Sequence, residues 1–167
     1  NNNIIILKNN MNVSDTSLFG SNMKASETEG NNLIVDNWIG KAYSINNFNS
    51  VNFENLKFDS SVEQVMDLNK KADLSKTGIG VTFAGGQEFE KGSSMTLINN
   101  ADGYKGSKFD NEVNTSAGVA QVVTGDITNE NDKIVLTIDD VKLNDQTKLV
   151  AENRAVAGSL LLIRARI

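Results

Sequence analysis

From Ile4 to about Ile98 the chain is a succession of short apolar runs, each cut off by Asn, Gly, Ser or Asp. Ile4-Ile5-Ile6-Leu7 stops at Lys8-Asn9-Asn10. Leu33-Ile34-Val35 follows Gly30-Asn31-Asn32 and stops at Asp36-Asn37. Ile45 precedes Asn46-Asn47-Phe48, after which come Val51-Asn52-Phe53 and Leu56-Lys57-Phe58. Ile79, Val81 and Phe83 alternate with smaller residues up to Gly85-Gly86, and Met95-Thr96-Leu97-Ile98 stops at Asn99-Asn100. Runs this short, rich in β-branched and aromatic residues and bounded by turn formers, predict strands. Long amphipathic helical periods are missing here.

The Asn pairs carry a second expectation. Asn tolerates the left-handed backbone region and bonds its own backbone in turns. In a β-solenoid equivalent turns stack, so Asn31-Asn32, Asn46-Asn47 and Asn99-Asn100 are candidates for laddered corners. Ordinary loops in an Asn-rich chain are the alternative. The repeat is too irregular to fix a rung length.

The rest of the chain changes character twice. Val119, Gln121 and Val123 alternate with their neighbours up to Gly125-Asp126. After the polar turn Asn129-Glu130-Asn131-Asp132, Ile134, Leu136 and Ile138 resume the alternation. That pattern predicts a β-hairpin with an inward apolar face. Asn144-Asp145 suits a helix cap, and Leu149, Val150, Val156, Leu160 and Leu161 fall near a helical stripe. The apolar run Ala155–Ile163 is far short of the ~20 residues that a membrane span needs. The expected organisation is solenoid rungs over 1–118, a closing hairpin over 119–143 and a helix over 144–167, all in one structural domain.

Composition limits the chemistry. The 167 residues suffice for a domain that hides roughly 70% of its unfolded surface. The net charge of −5, with sixteen scattered Lys and Arg, argues against nucleic acid as a partner. Cys, His and Pro are absent. Without Cys there is no disulfide, thiolate nucleophile or Cys-ligated zinc site, and without His no Ser-His-Asp triad. The lack of Cys suits passage through an oxidising periplasm, but many cytosolic proteins lack it too. Asn1-Asn2-Asn3 does not resemble the start of a signal peptide. In an exported protein the signal is expected upstream of an excised fragment.

Individual candidates weaken on inspection. Gly92-Ser93-Ser94 is read as a turn. Gly78-x-Gly80 lacks the third Gly and the following helix of a dinucleotide site, so it is read as a strand pair. Carboxylate pairs for glycoside chemistry would be Asp139-Asp140, Asp126 with Asp132, or Glu27 with Glu29. Neighbours on a strand face opposite ways, and the other pairs are expected in solvated turns. Asn129, Asn131 and Asp132 offer oxygens to calcium without the spacing of a known calcium loop. Phe48, Phe53 and Phe58 are read as core. Trp38, beside a turn, is either core or an exposed aromatic for binding sugar. The reading is of a non-enzyme with no catalytic, cofactor or metal residues.

Taken in order, the motifs resemble a known pattern. Asn31-Asn32-Leu33-Ile34-Val35-Asp36-Asn37-Trp38, then Ile45-Asn46-Asn47-Phe48 and Val51-Asn52-Phe53, resemble the late passenger region of type V autotransporters. Ala72-Asp73-Leu74-Ser75, Gly78-Ile79-Gly80-Val81 and Lys91-Gly92-Ser93-Ser94-Met95-Thr96-Leu97-Ile98 fit its next rungs. Ile134-Val135-Leu136-Thr137 resembles its closing strands, and Asp145 to Ala157 its linker helix. The likeness covers the chain from about Gly30 onward.

The resemblance implies an all-β fold: a right-handed parallel β-helix with a C-terminal hairpin cap and a short α-helix. It also implies a membrane-proximal stalk of a surface adhesin, outside the bacterial outer membrane, that aids passenger folding and display. Its partners would be its own upstream passenger and a downstream β-barrel, with no membrane span and no cofactor in this segment. Two alternatives accompany it: an adhesin module contacting a host cell surface through glycan or protein, and a polysaccharide-processing solenoid. One departure is plain. Leu160-Leu161-Leu162-Ile163-Arg164-Ala165-Arg166-Ile167 stands where the family continues into barrel strands. Either the sequence is cut there, or this is a split or degenerate member, and the chain alone is not expected to transport itself.

Overall fold

The computed structural model describes residues 2–144. The helix expected over 144–167 therefore falls almost entirely outside the described residues. Eight strands wind into the parallel part of the fold: β1 (Ile4–Lys8), β2 (Val13–Phe19), β3 (Asn32–Asp36), β4 (Gly40–Asn46), β5 (Ser50–Leu56), β6 (Met66–Asp73), β7 (Gly78–Phe83) and β8 (Ser94–Asp102). Odd strands stack as one parallel sheet in the order β1-β3-β5-β7, and even strands stack as β2-β4-β6-β8. The chain is thus an all-β solenoid of about four turns, each turn contributing one strand to each sheet.

The odd strands show why the sequence folds this way. Their inward positions form two apolar ladders. One is Ile5, Leu33, Val51 and Ile79; the other is Leu7, Val35, Phe53 and Val81. All but the half-buried Ile5 are buried. The period-two alternation in each run places these residues on one face, and stacking them removes each from water against the rung before and after. A Phe or Leu gains roughly 1.5–3 kcal/mol from such burial. Leu18, Ile45, Ala42, Leu68, Met66 and Ile98 line the facing sheet.

Rung length varies widely. Ile5, Leu33, Val51 and Ile79 are register partners, so successive rungs advance by 28, 18 and 28 residues. The connections account for this. The link from β4 to β5 is residues 47–49, whereas that from β2 to β3 is residues 20–31 and contains a 3-10 turn, Ala25–Glu27.

Asn residues dominate the corners. Asn9 and Asn37 follow β1 and β3, and Asn55 near the end of β5 stands at the same register, each directly after the stacked residues Lys8, Asp36 and Glu54. These three Asn have φ of 58°, 48° and 53°. At the other end of those strands, Asn3, Asn31 and Asn49 stack. Asn31 Oδ1 accepts the N–H of Asn3 at 3.1 Å, and Asn49 Oδ1 accepts that of Asn31 at 3.0 Å. Of the three expected pairs, Asn47 and Asn100 are left-handed, with φ of 62° and 79°. Asn31 is instead a buried rung of the ladder and Asn32 begins β3.

Parallel pairing ends with β8. The chain continues as β9 (Ser107–Asn114), β10 (Ala120–Glu130) and β11 (Lys133–Leu143). These extend the even-stranded sheet in the order β8-β11-β10-β9, every new pairing antiparallel. β10 and β11 are joined by Asn131-Asp132, with φ of 51° and 61°. Two positive φ values are what a tight two-residue hairpin turn requires. Ser107–Asn114, grouped above with the rungs, pairs only with β10 and does so antiparallel.

Candidate functional site

The carboxylates singled out in the sequence are kept apart. Asp126 lies within β10, not in a turn as expected, because the strand runs on past Gly125 to Glu130. It accepts from Lys108 Nζ at 2.7 Å. Asp132 does sit in the hairpin turn, where Lys71 Nζ approaches it at 3.0 Å. Each carboxylate thus has its own lysine. The carboxylate beside each ammonium, Asp126 for Lys108 and Asp132 for Lys71, holds these lysines above the ordinary lysine range, through hydrogen bonding first and charge second. Asp139 occupies a bulge in β11, since Thr124 pairs with Asp140 and Gly125 with Ile138. Glu27 and Glu29 are exposed near the 3-10 turn.

The remaining candidates resolve into architecture. Trp38 is 2% exposed and its Nε1 donates to the Met11 carbonyl at 2.8 Å, so it is core and not an exposed sugar platform. A pocket of about 250 Å³ beside it opens between Asn9, Asn37 and Glu54. Phe48 and Phe53 are buried, and Phe58 packs partly buried against Phe89. Gly78 and Gly80 both belong to β7. A side chain at Gly80 would collide with Asn52 of the preceding rung, whose amide donates to Asn32 Oδ1 at 2.9 Å. Gly92 turns with φ 89° and Ser94 opens β8. Asn129 spends its amide on the Ala101 and Lys133 carbonyls and its oxygen on the N–H of Tyr104. Among the described residues, no three His, Cys, Asp or Glu side chains are grouped to hold a metal ion.

What the geometry does offer is a solenoid with two unlike ends. β1 and β2 are the outer strands of their sheets and have no strand on their far side among the described residues. Around them Ile4, Ile6, Met11 and Phe19 are exposed, Ile4 by 60% and Phe19 by 52%. At the other end the edges are occupied. β8 is paired by β11 over Lys133–Thr137. The outer strand β7 meets β9 through Asn111, whose Nδ2 donates to the Val81 carbonyl at 2.8 Å. Just beyond β7, the N–H of Gly86 donates to the Asn114 carbonyl at 2.7 Å, and Gln121 Nε2 reaches the Gln87 carbonyl. Beneath these bonds Phe83 and Phe109 meet edge to face, with ring centres 5.6 Å apart. Val113, Val123 and Ile127 are buried with them.

Sequence reasoning missed two features of this surface. It did not find β2, which buries only Leu18, and of β6 it read only the end, Ala72-Asp73, beyond the bulge at Asn69-Lys70-Lys71. That bulge places lysines beside a cleft of about 450 Å³. Among the described residues no helix is long and apolar enough to cross a membrane. No protein family model, no curated protein and no solved structure matches the chain.

Proposed function

We propose that the chain is a non-catalytic scaffold: the closed, membrane-proximal end of a longer solenoid in the stalk of a surface-exposed autotransporter adhesin. The observation that supports this most is the contrast between its ends. Unpaired strand edges invite further pairing, and proteins normally cover or charge them. Here the β1 and β2 edges carry exposed Ile and Phe, which suits continuation into the rungs of an upstream passenger. The opposite end is covered by β9, β10 and β11. In this reading those strands are the cap, on the side from which the chain leads to a downstream barrel. The winding would be right-handed, as in the family that the motifs resemble.

The mechanism is one of templated folding. A solenoid rung buries its apolar face only against a folded neighbour. Antiparallel hairpin strands close over short loops and so lose less chain entropy on forming than parallel strands 18 to 28 residues apart. The cap therefore forms first and presents β8 as a template. Folding kinetics of chains bearing Leu136→Ala or Phe109→Ala, against Leu7→Ala or Leu33→Ala, test this. Substitutions in the cap should slow folding, and those at the open end should mainly speed unfolding. Slower folding from the open-end pair instead would sink the reading. The parent reading frame tests the family: an upstream signal peptide and downstream barrel strands are expected.

A further inference from the structure

The chain is acidic overall, yet one cleft collects lysines. Lys24 comes from the long connection after β2, Lys70 and Lys71 from β6, and Lys76 from the link to β7. Residues far apart in sequence converge because the rungs stack. The cleft has a volume of about 450 Å³. All four lysines are exposed at its walls.

The backbone is built to present them. Asp67 pairs with Asn99 and Ala72 with Ala101, so β6 spends five residues where β8 spends two. The excess bulges outward and carries Lys70-Lys71. Asn100, left-handed at φ 79°, fixes the bulge by donating its amide to the carbonyls of Leu68 and Asn69 at 3.1 and 3.2 Å. Bulges of this sort re-aim side chains and are over-represented beside functional sites.

The charges are also left available. Lys71 is paired with Asp132, with Asp102 at 4.0 Å. Lys24, Lys70 and Lys76 have no carboxylate partner among the described residues. Asp73, the one acid on the cleft wall, is turned into its own loop, where Ser75 donates its backbone N–H at 3.0 Å. The neighbouring amides Asn46 and Asn47 use their Nδ2 groups on the Leu18 and Ser21 carbonyls. Their Oδ1 atoms accept no hydrogen bond among the described residues.

We infer that this cleft is a binding site for an acidic saccharide of one or two sugar units bearing sulfate or carboxylate groups. Free ammonium groups match the anionic substituents as point charges, and free amide oxygens match sugar hydroxyls. A nucleic acid is matched less well. No aromatic ring lines the cleft to stack a base, and the net charge of −5 repels a long polyanion. The inference stands independently of the scaffold reading.

Titration calorimetry of the full 167-residue chain with a heparin-derived tetrasaccharide tests it. One saturable site is expected, weakened at least tenfold by Lys70→Gln/Lys76→Gln and less than twofold by Lys91→Gln/Lys105→Gln, a pair outside the cleft with the same charge change. Amide NMR shifts of the unsubstituted protein should map to residues 24–26, 46–47 and 70–77, which frees the test from any folding defect in the variants. The inference is overturned by an absence of saturable binding, or by equal losses in the two double variants. Equal affinity for a single-stranded DNA 20-mer, or displacement of the saccharide by inorganic phosphate at the same concentration, overturns it too.

Discussion

Asn49 holds Asn31 across the gap between two rungs: its Oδ1 accepts the Asn31 backbone N–H at 3.0 Å. The same side chain donates to the carbonyls of Ala25 and Thr28 at 2.9 and 2.8 Å, so both amide hydrogens are used. One residue thereby fixes the first sheet's entry and the long connection of the preceding rung. Asn49→Ala is expected to cost about 1–3 kcal/mol, because it strands a polar N–H beside the buried Asn31. Asn49→Asp keeps the acceptor but loses both donors and sets a charge against two carbonyls, so it should be no better. Urea denaturation midpoints measure both. A loss below a few tenths of a kcal/mol in both variants would show that the ladder does not hold the rungs.

Gly125 sits where β9, β10 and β11 crowd together. A methyl group there would press into the carbonyl oxygen of Thr137 and lie 2.6 Å from the Phe109 ring. Gly125→Ala should destabilise by about 1–3 kcal/mol or more, as over-packing does. Adding Phe109→Leu should recover little, since the harder obstacle is backbone. Thermal unfolding of the single and double variants checks this. Full recovery by the second substitution would mean that only the ring was in the way.

These sites bear on how much of the fold was legible. The odd strands were readable because their inward residues are continuous apolar ladders, and the hairpin because Ile134, Leu136 and Ile138 alternate without a break. β2 was not, because Val13-Ser14-Asp15-Thr16-Ser17-Leu18-Phe19 buries one residue out of seven. In β6 the bulge breaks the alternation at the point where the lysines stand. Asn residues announced corners, but a rung that drops from 28 to 18 residues hides which Asn stacks on which. Trp38 could be read either way in one dimension; its contact with Met11 crosses a rung and needs the fold. The lysine cleft was invisible for the same reason, since Lys24 and Lys76 meet only through stacking.

Asp73 gives a pH dependence whose sign is fixed. The Ser75 backbone N–H, and after it the Ser75 hydroxyl, hold its carboxyl below the ordinary value of 3.8. A lowered carboxyl pKa means that the folded state prefers the charged form. The resulting stabilisation is present above pH 3.8 and is lost as pH falls through the lower folded-state value. Ser75→Ala should raise the Asp73 pKa only partway, because the backbone bond, the larger cause, remains. Carboxyl carbon shifts followed by NMR between pH 2 and 6 measure it. A rise all the way to 3.8 would reverse the ranking of the two bonds.

Asn37 separates backbone conformation from side-chain bonding. It is exposed, has φ 48°, and shares its register with Asn9 and Asn55 at the end of the first sheet. Its own N–H donates to the Glu54 carbonyl at 3.0 Å, a bond that substitution leaves in place. Asn37→Gly should therefore be neutral within about 0.5 kcal/mol, since Gly enters the left-handed region freely. Asn37→Val should cost about 1–2 kcal/mol from steric strain alone, with no buried contact removed. Equal stability of the Gly and Val variants by urea denaturation would mean that the corner relaxes out of the left-handed region. The stacking of three such corners, each following the same strand position, argues that it cannot: a shift at Asn37 moves β3 against both β1 and β5 and breaks two apolar ladders at once.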